Sequence, residues 1–257
     1  MSFALITGAS KGIGKSIAEN LAAKGYSLLL IARSHELLKE VKQEIETKSK
    51  VEVKFLVLDL SAPTAAQQVF DWCTQNNFPI SVLVNNAGYG LSGAFESYPL
   101  EQHLNMLQVN CLTLVQLTHL LLPKLREQNK SYILNIASSA AYQAVPYLSL
   151  YAASKSLVLS FSRGLHYELR KTTVSVTCVC PGATDTDFNN RAKIGPKAMK
   201  TAEKVMMTSD IVGKTAVDAM FAKKTEVITG AINKIGGFLT WILPKKVLEG
   251  GAARLYE

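Results

Sequence analysis

Short apolar runs alternate with longer segments of helical period along almost the whole chain. Phe3–Thr7 is the first run, and a helical segment follows from about Lys15 to Lys24. Next come an apolar run over Ser27–Ala32 and a charged amphipathic segment over His35–Lys48. The same pattern predicts strands over Val51–Leu58, Ile80–Val84, Tyr132–Ala137, Val174–Val179 and Val227–Ile228. Helices are expected over Thr64–Asn76, Leu100–Leu122, Ala152–Leu169 and Ser209–Ala222, with Ser209 capping the last. Strands that alternate with helices predict a doubly wound α/β fold, with a mostly parallel seven-stranded sheet covered on both faces. No repeat, linker or low-complexity segment divides the chain, so residues 1–257 are read as one domain.

The first strand runs into Gly8-Ala-Ser-Lys-Gly12-Ile-Gly14 and then a helix. A glycine turn between strand and helix lets backbone N–H groups approach a diphosphate, and the helix N-terminus adds partial positive charge. In such folds a carboxylate about 20 residues after the turn holds the ribose 2′-hydroxyl. Here Ala32-Arg33-Ser34 takes that place and Lys11 stands in the turn. Two cations without a carboxylate suit a 2′-phosphate, so NADP(H) is favoured over NAD(H). Alternatively, Arg33 is a solvated loop residue. Asp59, ending the third strand, either meets the adenine edge or caps the next helix. After the fourth strand, Asn85-Asn86-Ala87-Gly88 places small polar residues where such sheets bind ligands.

Ser138 follows the fifth strand, and Tyr151 and Lys155 stand four residues apart at the start of the next helix. That spacing sets them on one face. A free phenol titrates near ~10, too high for acid–base work at neutral pH. A nearby ammonium favours the phenolate, lowers that value and brings the phenol into range as a general acid or base. Ser138 can donate a hydrogen bond to a substrate oxygen as charge builds there. Such a pair on a helix is more often surface decoration; the glycine turn upstream changes its weight. Asn110 lies within an otherwise apolar helix. It is either a satisfied structural residue, or it bends the helix and holds a water near Lys155.

Composition narrows the setting. Apolar residues make up 48% of the chain and charged residues 19%, as in ordinary globular domains. The richest apolar run, Leu112–Leu122, is broken by Thr113, Gln116, Thr118 and His119, so no membrane-length run is expected. Phe3–Thr7 reads as a strand and not as part of a leader. Cys73, Cys111, Cys178 and Cys180 form no Cys-x-x-Cys pair and read as small buried hydrophobes, which fits a reducing cytoplasm and no metal. The net charge of +8 favours anionic partners. It is spread without aromatic interleaving, which argues against nucleic acid. Arg191–Met207 carries five Lys/Arg against one Glu, and either covers the site or is an ordinary surface helix. The tail from Gly236 to residue 257 is apolar and then basic; it packs on a subunit or its own core, or makes a peripheral lipid contact.

Taken together, Thr7-Gly8-x-x-x-Gly12-x-Gly14, Asn85-Asn86-Ala87-Gly88, Asn110, Ser138, Tyr151-x-x-x-Lys155 and Pro181-Gly182 resemble the short-chain dehydrogenase/reductase family, from Phe3 to about Ile232. The general bacterial oxidoreductase branch is the nearest in pattern, with some likeness to hydroxysteroid and long-chain ketoacyl reductases. The resemblance implies a Rossmann fold and a homodimer or homotetramer. Gly8, Ser10, Lys11, Gly12, Ile13 and Gly14 would line the adenosine diphosphate, and Arg33 would hold the 2′-phosphate. Asp59 and Leu60 would flank the adenine, and Asn86, Ala87 and Gly88 the adjoining ribose. Tyr151 would exchange the proton. Lys155 would lower its pKa and bind the nicotinamide ribose. Ser138 would orient the carbonyl and Asn110 would hold a relay water. Pro181, Gly182, Thr184 and Thr186 would bracket the nicotinamide. The pattern departs from many ketoacyl-carrier reductases at Asn233-Lys-Ile-Gly-Gly237, which is followed by twenty more residues.

The expected activity is an NADP(H)-dependent oxidoreductase acting on CH–OH/C=O groups of a small, apolar carbonyl or alcohol. Two alternatives stand beside it. One is a non-catalytic NADP-binding regulator. The other is a lipid-associated long-chain ketoacyl or steroid reductase, or a reductase whose Arg126, Lys130, Arg170 and Lys171 dock an acidic carrier protein.

Overall fold

The computed structural model describes residues 2–192 and 194–256, so Lys193 of the basic stretch and Glu257 of the tail lie outside the described residues. Seven strands form one sheet: β1 Phe3–Thr7, β2 Ser27–Ala32, β3 Val53–Val57, β4 Ile80–Asn85, β5 Ser131–Ile136, β6 Val174–Cys180 and, after a short pair β7 Thr184–Asp185 and β8 Met207–Thr208, the edge strand β9 Glu226–Ile228. Their order is β3-β2-β1-β4-β5-β6-β9, and every pairing is parallel. This is the doubly wound Rossmann arrangement. The strand order reverses between β1 and β4, so a crevice opens beyond their C-terminal ends.

Helices cover both faces, as fully buried strands demand. On one face α1 Gly12–Ala23, α2 His35–Lys48 and α9 Ser209–Phe221 bury Ile17, Leu21, Leu38, Val41, Val217 and Met220 in a common core. On the other, α3 Ala65–Gln75 and the helices described next bury Val69, Cys73, Leu117, Leu121 and Leu125. The four cysteines are free and buried, as their sequence settings suggest.

The expected single helix over Leu100–Leu122 is three pieces. α4 Leu100–Leu107 passes through a π turn, Gln108–Leu112, into α5 Thr113–Arg126. Asn110 sits in that π turn and is buried. The whole run, Leu100–Arg126, is 27 residues long and apolar enough to cross a membrane by length and composition, which corrects the expectation of no such run. Here it is a core helix, and Met106, Leu114, Leu117 and Leu121 are buried in the fold. Thr208 caps α9, not Ser209: its hydroxyl accepts from the Ile211 N–H at 3.4 Å. α6 Ser149–Leu169 begins three residues before its expected start and so carries Tyr151 and Lys155 in its first two turns. The stretch after β6 folds as α7 Phe188–Ala192 and α8 Pro196–Glu203. The tail folds as α10 Ala231–Ile242 and α11 Lys245–Tyr256.

Helices α1 and α9 pack closely. A Cβ on Gly213 of α9 would lie 2.3 Å from Ser16 Oγ and 3.0 Å from the backbone nitrogen of Ile17. Gly213→Ala must therefore push the two helices apart. The expected cost is about 1–3 kcal/mol, read as a lower urea midpoint with unchanged slope.

Candidate active site

A cleft of about 590 Å³ opens over the C-terminal ends of β1, β4, β5 and β6. Its floor is the glycine turn. Gly8 and Gly12 adopt φ of +66° and +57°, a region that side chains rarely occupy. A Cβ on Gly14 would lie 2.2 Å from the Gly8 carbonyl oxygen, so α1 can start this close to β1 only with glycine there. The turn is clamped from β4. Asn86 Nδ2 donates to the carbonyls of Thr7 and Gly8 at 3.0 and 3.1 Å. Thr7 Oγ1 accepts from the N–H groups of Asn86 and Ala87 at 3.0 and 3.1 Å. The Asn86 amide is thus committed to holding the turn.

Ser138, Tyr151 and Lys155 line the same cleft with Gly88, Pro181 and Gly182. Ser138 caps a short 3-10 turn, its Oγ accepting from the Ala140 N–H at 3.1 Å. Tyr151 and Lys155 are both buried. Lys155 Nζ donates to the Ile136 carbonyl at 3.0 Å and stands 5.9 Å from the Tyr151 ring centre. Burial pushes the Tyr151 phenol up to about 12, with a hydrogen bond to Ser138 opposing it. That reverses the expectation of a phenol lowered by the ammonium: desolvation outweighs the lysine, whose charge is turned toward a carbonyl. Burial also lowers Lys155 to about 8.

Asn110 is satisfied within the protein. Its Oδ1 accepts from the Tyr89 N–H at 3.0 Å, and its Nδ2 donates to the Tyr89 carbonyl at 2.9 Å and to Ser154 Oγ at 3.0 Å. It ties the π turn to the loop after β4 and to α6, beneath Lys155. The residue is structural, as one reading held, and it stands at a distortion of the helix, as the other expected.

The two cations expected to meet a 2′-phosphate already have partners. Arg33 lies 3.8 Å from Asp59, and Lys11 pairs with Asp187. The carboxylate missing after β2 is supplied from β3's end and from the segment after β6. Asp59 also accepts from the Ser61 N–H at 2.9 Å, a local turn and not a helix cap. Ser10, Ile13, Leu60, Ala87, Thr184 and Thr186 line the cleft as expected. Thr186 also closes on the turn, since a Cβ on Gly12 would lie 2.9 Å from its methyl group.

Three participants had no individual role in the sequence reading, although two lie in or beside the stretch expected to cover the site. Phe188 of α7 packs on the Tyr151 ring at 5.2 Å. Arg191, itself exposed, stacks at 4.0 Å on Tyr89 with Arg33 and Asp59 as charged neighbours, and desolvation against them lowers its pKa. The basic stretch was the only hint of it. Tyr256 of α11 lines the cleft near Tyr151, and no sequence signal placed it there. A cradle of Cβ-less turn residues, backbone amides and a helix N-terminus fits a dinucleotide diphosphate. Tyr89, Asp59, Arg33 and Lys11 also line the cleft.

Comparison with known proteins agrees. The short chain dehydrogenase profile matches residues 2–196, and the chain belongs to that family of oxidoreductases. An uncharacterized oxidoreductase of Staphylococcus saprophyticus is 34% identical over 205 residues, covering 77% of this chain and 88% of its own. Very-long-chain 3-oxoacyl-CoA reductase-B of Danio rerio is 37% identical over 183 residues, and the match spans 70% of this chain but 58% of that longer protein. Among solved structures, a 7β-hydroxysteroid dehydrogenase superposes with a TM-score of 0.86 at 25% identity, covering 98% of this chain and 95% of its own. A short-chain dehydrogenase from Sphingobium yanoikuyae in complex with NADPH gives 0.81 at 28% identity, covering 94% and 95%.

The Lys155 shift predicts a pH signature. Its folded value of about 8 lies below the ordinary 10.5, so the unfolded chain binds more protons between them and folding gains stability as pH rises through that window. Lys155→Met removes this gain. Relative to wild type, the variant should lose about 2–3 kcal/mol between pH 7 and pH 10, measured by urea unfolding at each pH.

Proposed function

We propose that the protein is an NADP(H)-dependent reductase of an apolar carbonyl compound. The observation that carries this reading is the convergence of Ser138, Tyr151 and Lys155 on one cleft floored by the glycine turn. A nicotinamide bound there supplies the hydride. Tyr151 holds its proton through the neutral range, because burial keeps its pKa at about 12. It therefore carries a proton that the alkoxide formed on reduction, a stronger base than the phenolate, can take up. Ser138 donates a second hydrogen bond to the same oxygen as negative charge develops. Lys155, charged below about pH 8, offers its ammonium to the ribose hydroxyls of a bound nicotinamide. Asn110 holds the Tyr89 loop and α6 in register under these groups.

The substrate reading rests on the cleft wall. Leu148, Phe188, Ile194 and Tyr256 pack with Tyr151 in one apolar cluster and line the cleft. Similarity to very-long-chain 3-oxoacyl-CoA reductases and to a hydroxysteroid dehydrogenase supports a fatty-acyl or sterol-like carbonyl. NADP(H) is chosen because Lys11, Arg33 and Arg191 gather three cations against two carboxylates on the adenosine side. A phosphate can take over the pairing that Asp59 and Asp187 now provide. The exposed Leu100, Leu104, Leu112 and Leu157 on α4, the π turn and α6 support assembly as a homo-oligomer.

Tyr151→Phe should lower turnover with a panel of apolar ketones by at least about 10²-fold while NADPH affinity, read by fluorescence, stays near wild type; retained turnover would remove Tyr151 from the proton-transfer role. Arg33→Ala should weaken NADPH roughly tenfold or more and leave NADH nearly unchanged, by calorimetric titration. Equal effects on both cofactors would overturn the phosphate assignment.

A further inference from the structure

Helix α10 is amphipathic in the reverse sense. Its inward stripe is small and polar: Asn233, Gly237 and Thr240 face the protein. Asn233 Nδ2 donates to the Thr229 carbonyl at 2.8 Å, and the side chain packs so tightly on Gly182 that a Cβ there would lie 2.0 Å from it. Gly237 sits against Ile228, where its own Cβ would meet the side chain at 2.7 Å. The outward face is apolar: Ile232, Ile235, Phe238, Leu239, Trp241 and Ile242 are all exposed, Trp241 at 77% and Phe238 at 65%. No residue of α10 is buried. A helix normally turns such a stripe to the core, so this one is built to meet something outside the fold.

Charge selects what it meets. From Ala231 to Val247 the sequence has no Asp or Glu, and Lys234, Lys245 and Lys246 flank the apolar face. All three lysines are exposed. A second copy fits this badly. Two-fold pairing of α10 on α10 sets Lys234 against its own counterpart or against Lys245 and Lys246, with no carboxylate in the stretch to offset them. We propose that α10 lies in the plane of an anionic membrane surface. Phe238, Trp241 and Ile242 enter the headgroup–acyl boundary, and the three lysines reach anionic headgroups. The packing of Asn233 on Gly182 fixes the helix to the cleft's edge, and α11 returns to the fold through buried Ala252. The cleft is thereby held beside the bilayer. This surface stands independently of the reductase assignment.

The test uses the whole chain with Trp72→Phe, which leaves Trp241 as its only tryptophan. Phosphatidylglycerol-containing vesicles should pull it down on sedimentation and shift Trp241 emission to shorter wavelength, and pure phosphatidylcholine should do so far less. Lys245→Glu with Lys246→Glu should weaken sedimentation at least about tenfold. Phe238→Gln with Trp241→Gln should do likewise, with circular dichroism and melting temperature unchanged in both. Failure to bind anionic vesicles, or equal binding by wild type and variants, overturns the proposal. So does a fall in solution mass caused by Phe238→Gln with Trp241→Gln, because a second copy would then be what covers the face.

Discussion

The cleft depends on the close approach of three backbone segments: the end of β1, the start of α1 and the loop after β4. Gly14 lies against the Gly8 carbonyl, where even a methyl group has no room. The Asn86 amide and the Thr7 hydroxyl then lock the segments with hydrogen bonds of 3.0 to 3.1 Å. This is a steric constraint first and a binding site second. The turn that brings backbone N–H groups together for an anion also lets α1 seat on the sheet. Without it, the crevice between β1 and β4 would be filled by side chains.

Beneath Ser138, Tyr151 and Lys155 runs a buried polar chain. Asn85 Nδ2 donates to Asn135 Oδ1 at 2.9 Å, and Asn135 Nδ2 to Ser162 Oγ at 2.8 Å. With the bonds from Asn110 to Tyr89 and Ser154, it links β4, β5, the π turn and α6. Asn85 Oδ1 has no partner among the described residues, but the Asn135 and Asn110 amides are fully paired, and paired buried polar groups admit few alternative packings. That rigidity suits a site in which Lys155 and Tyr151 hold unusual pKa values through desolvation. A looser core would admit water and return both toward ordinary titration.

Above the floor, the segments after β6 close the cleft with weaker and more exposed contacts. The Lys11–Asp187 pair, the Phe188 ring on Tyr151 and Arg191 on Tyr89 are contacts between a cover and a rigid base. Exposed ion pairs contribute little and exchange readily for a better-placed anion. The base therefore carries the geometry of the cleft.

Much of this was legible along the chain. The alternation of apolar runs and helical periods located all seven strands of the main sheet, and β2 and α2 matched to the residue. The order of glycine turn, Asn-Asn-Ala-Gly, Ser138, Tyr151 and Lys155 pointed to one cleft, because in a parallel sheet each of these follows a strand's C-terminal end. Local pattern is enough for such features, since burial of whole strands and a turn that needs glycine are written in neighbouring residues. The tertiary structure decided the rest. The π turn at Asn110 arises from partners in the loop after β4 and in α6, which no local window contains. The direction of the Tyr151 shift was set by burial from many segments, not by the lysine one turn away. Asp187 came to Lys11, Arg191 to Arg33 and Asp59, and Tyr256 to the wall near Tyr151, only because the chain returns there after β6 and again at its end. The reversed face of α10 appeared only once Asn233 was seen against Gly182, because periodicity shows that a helix has two faces but not which of them the fold covers.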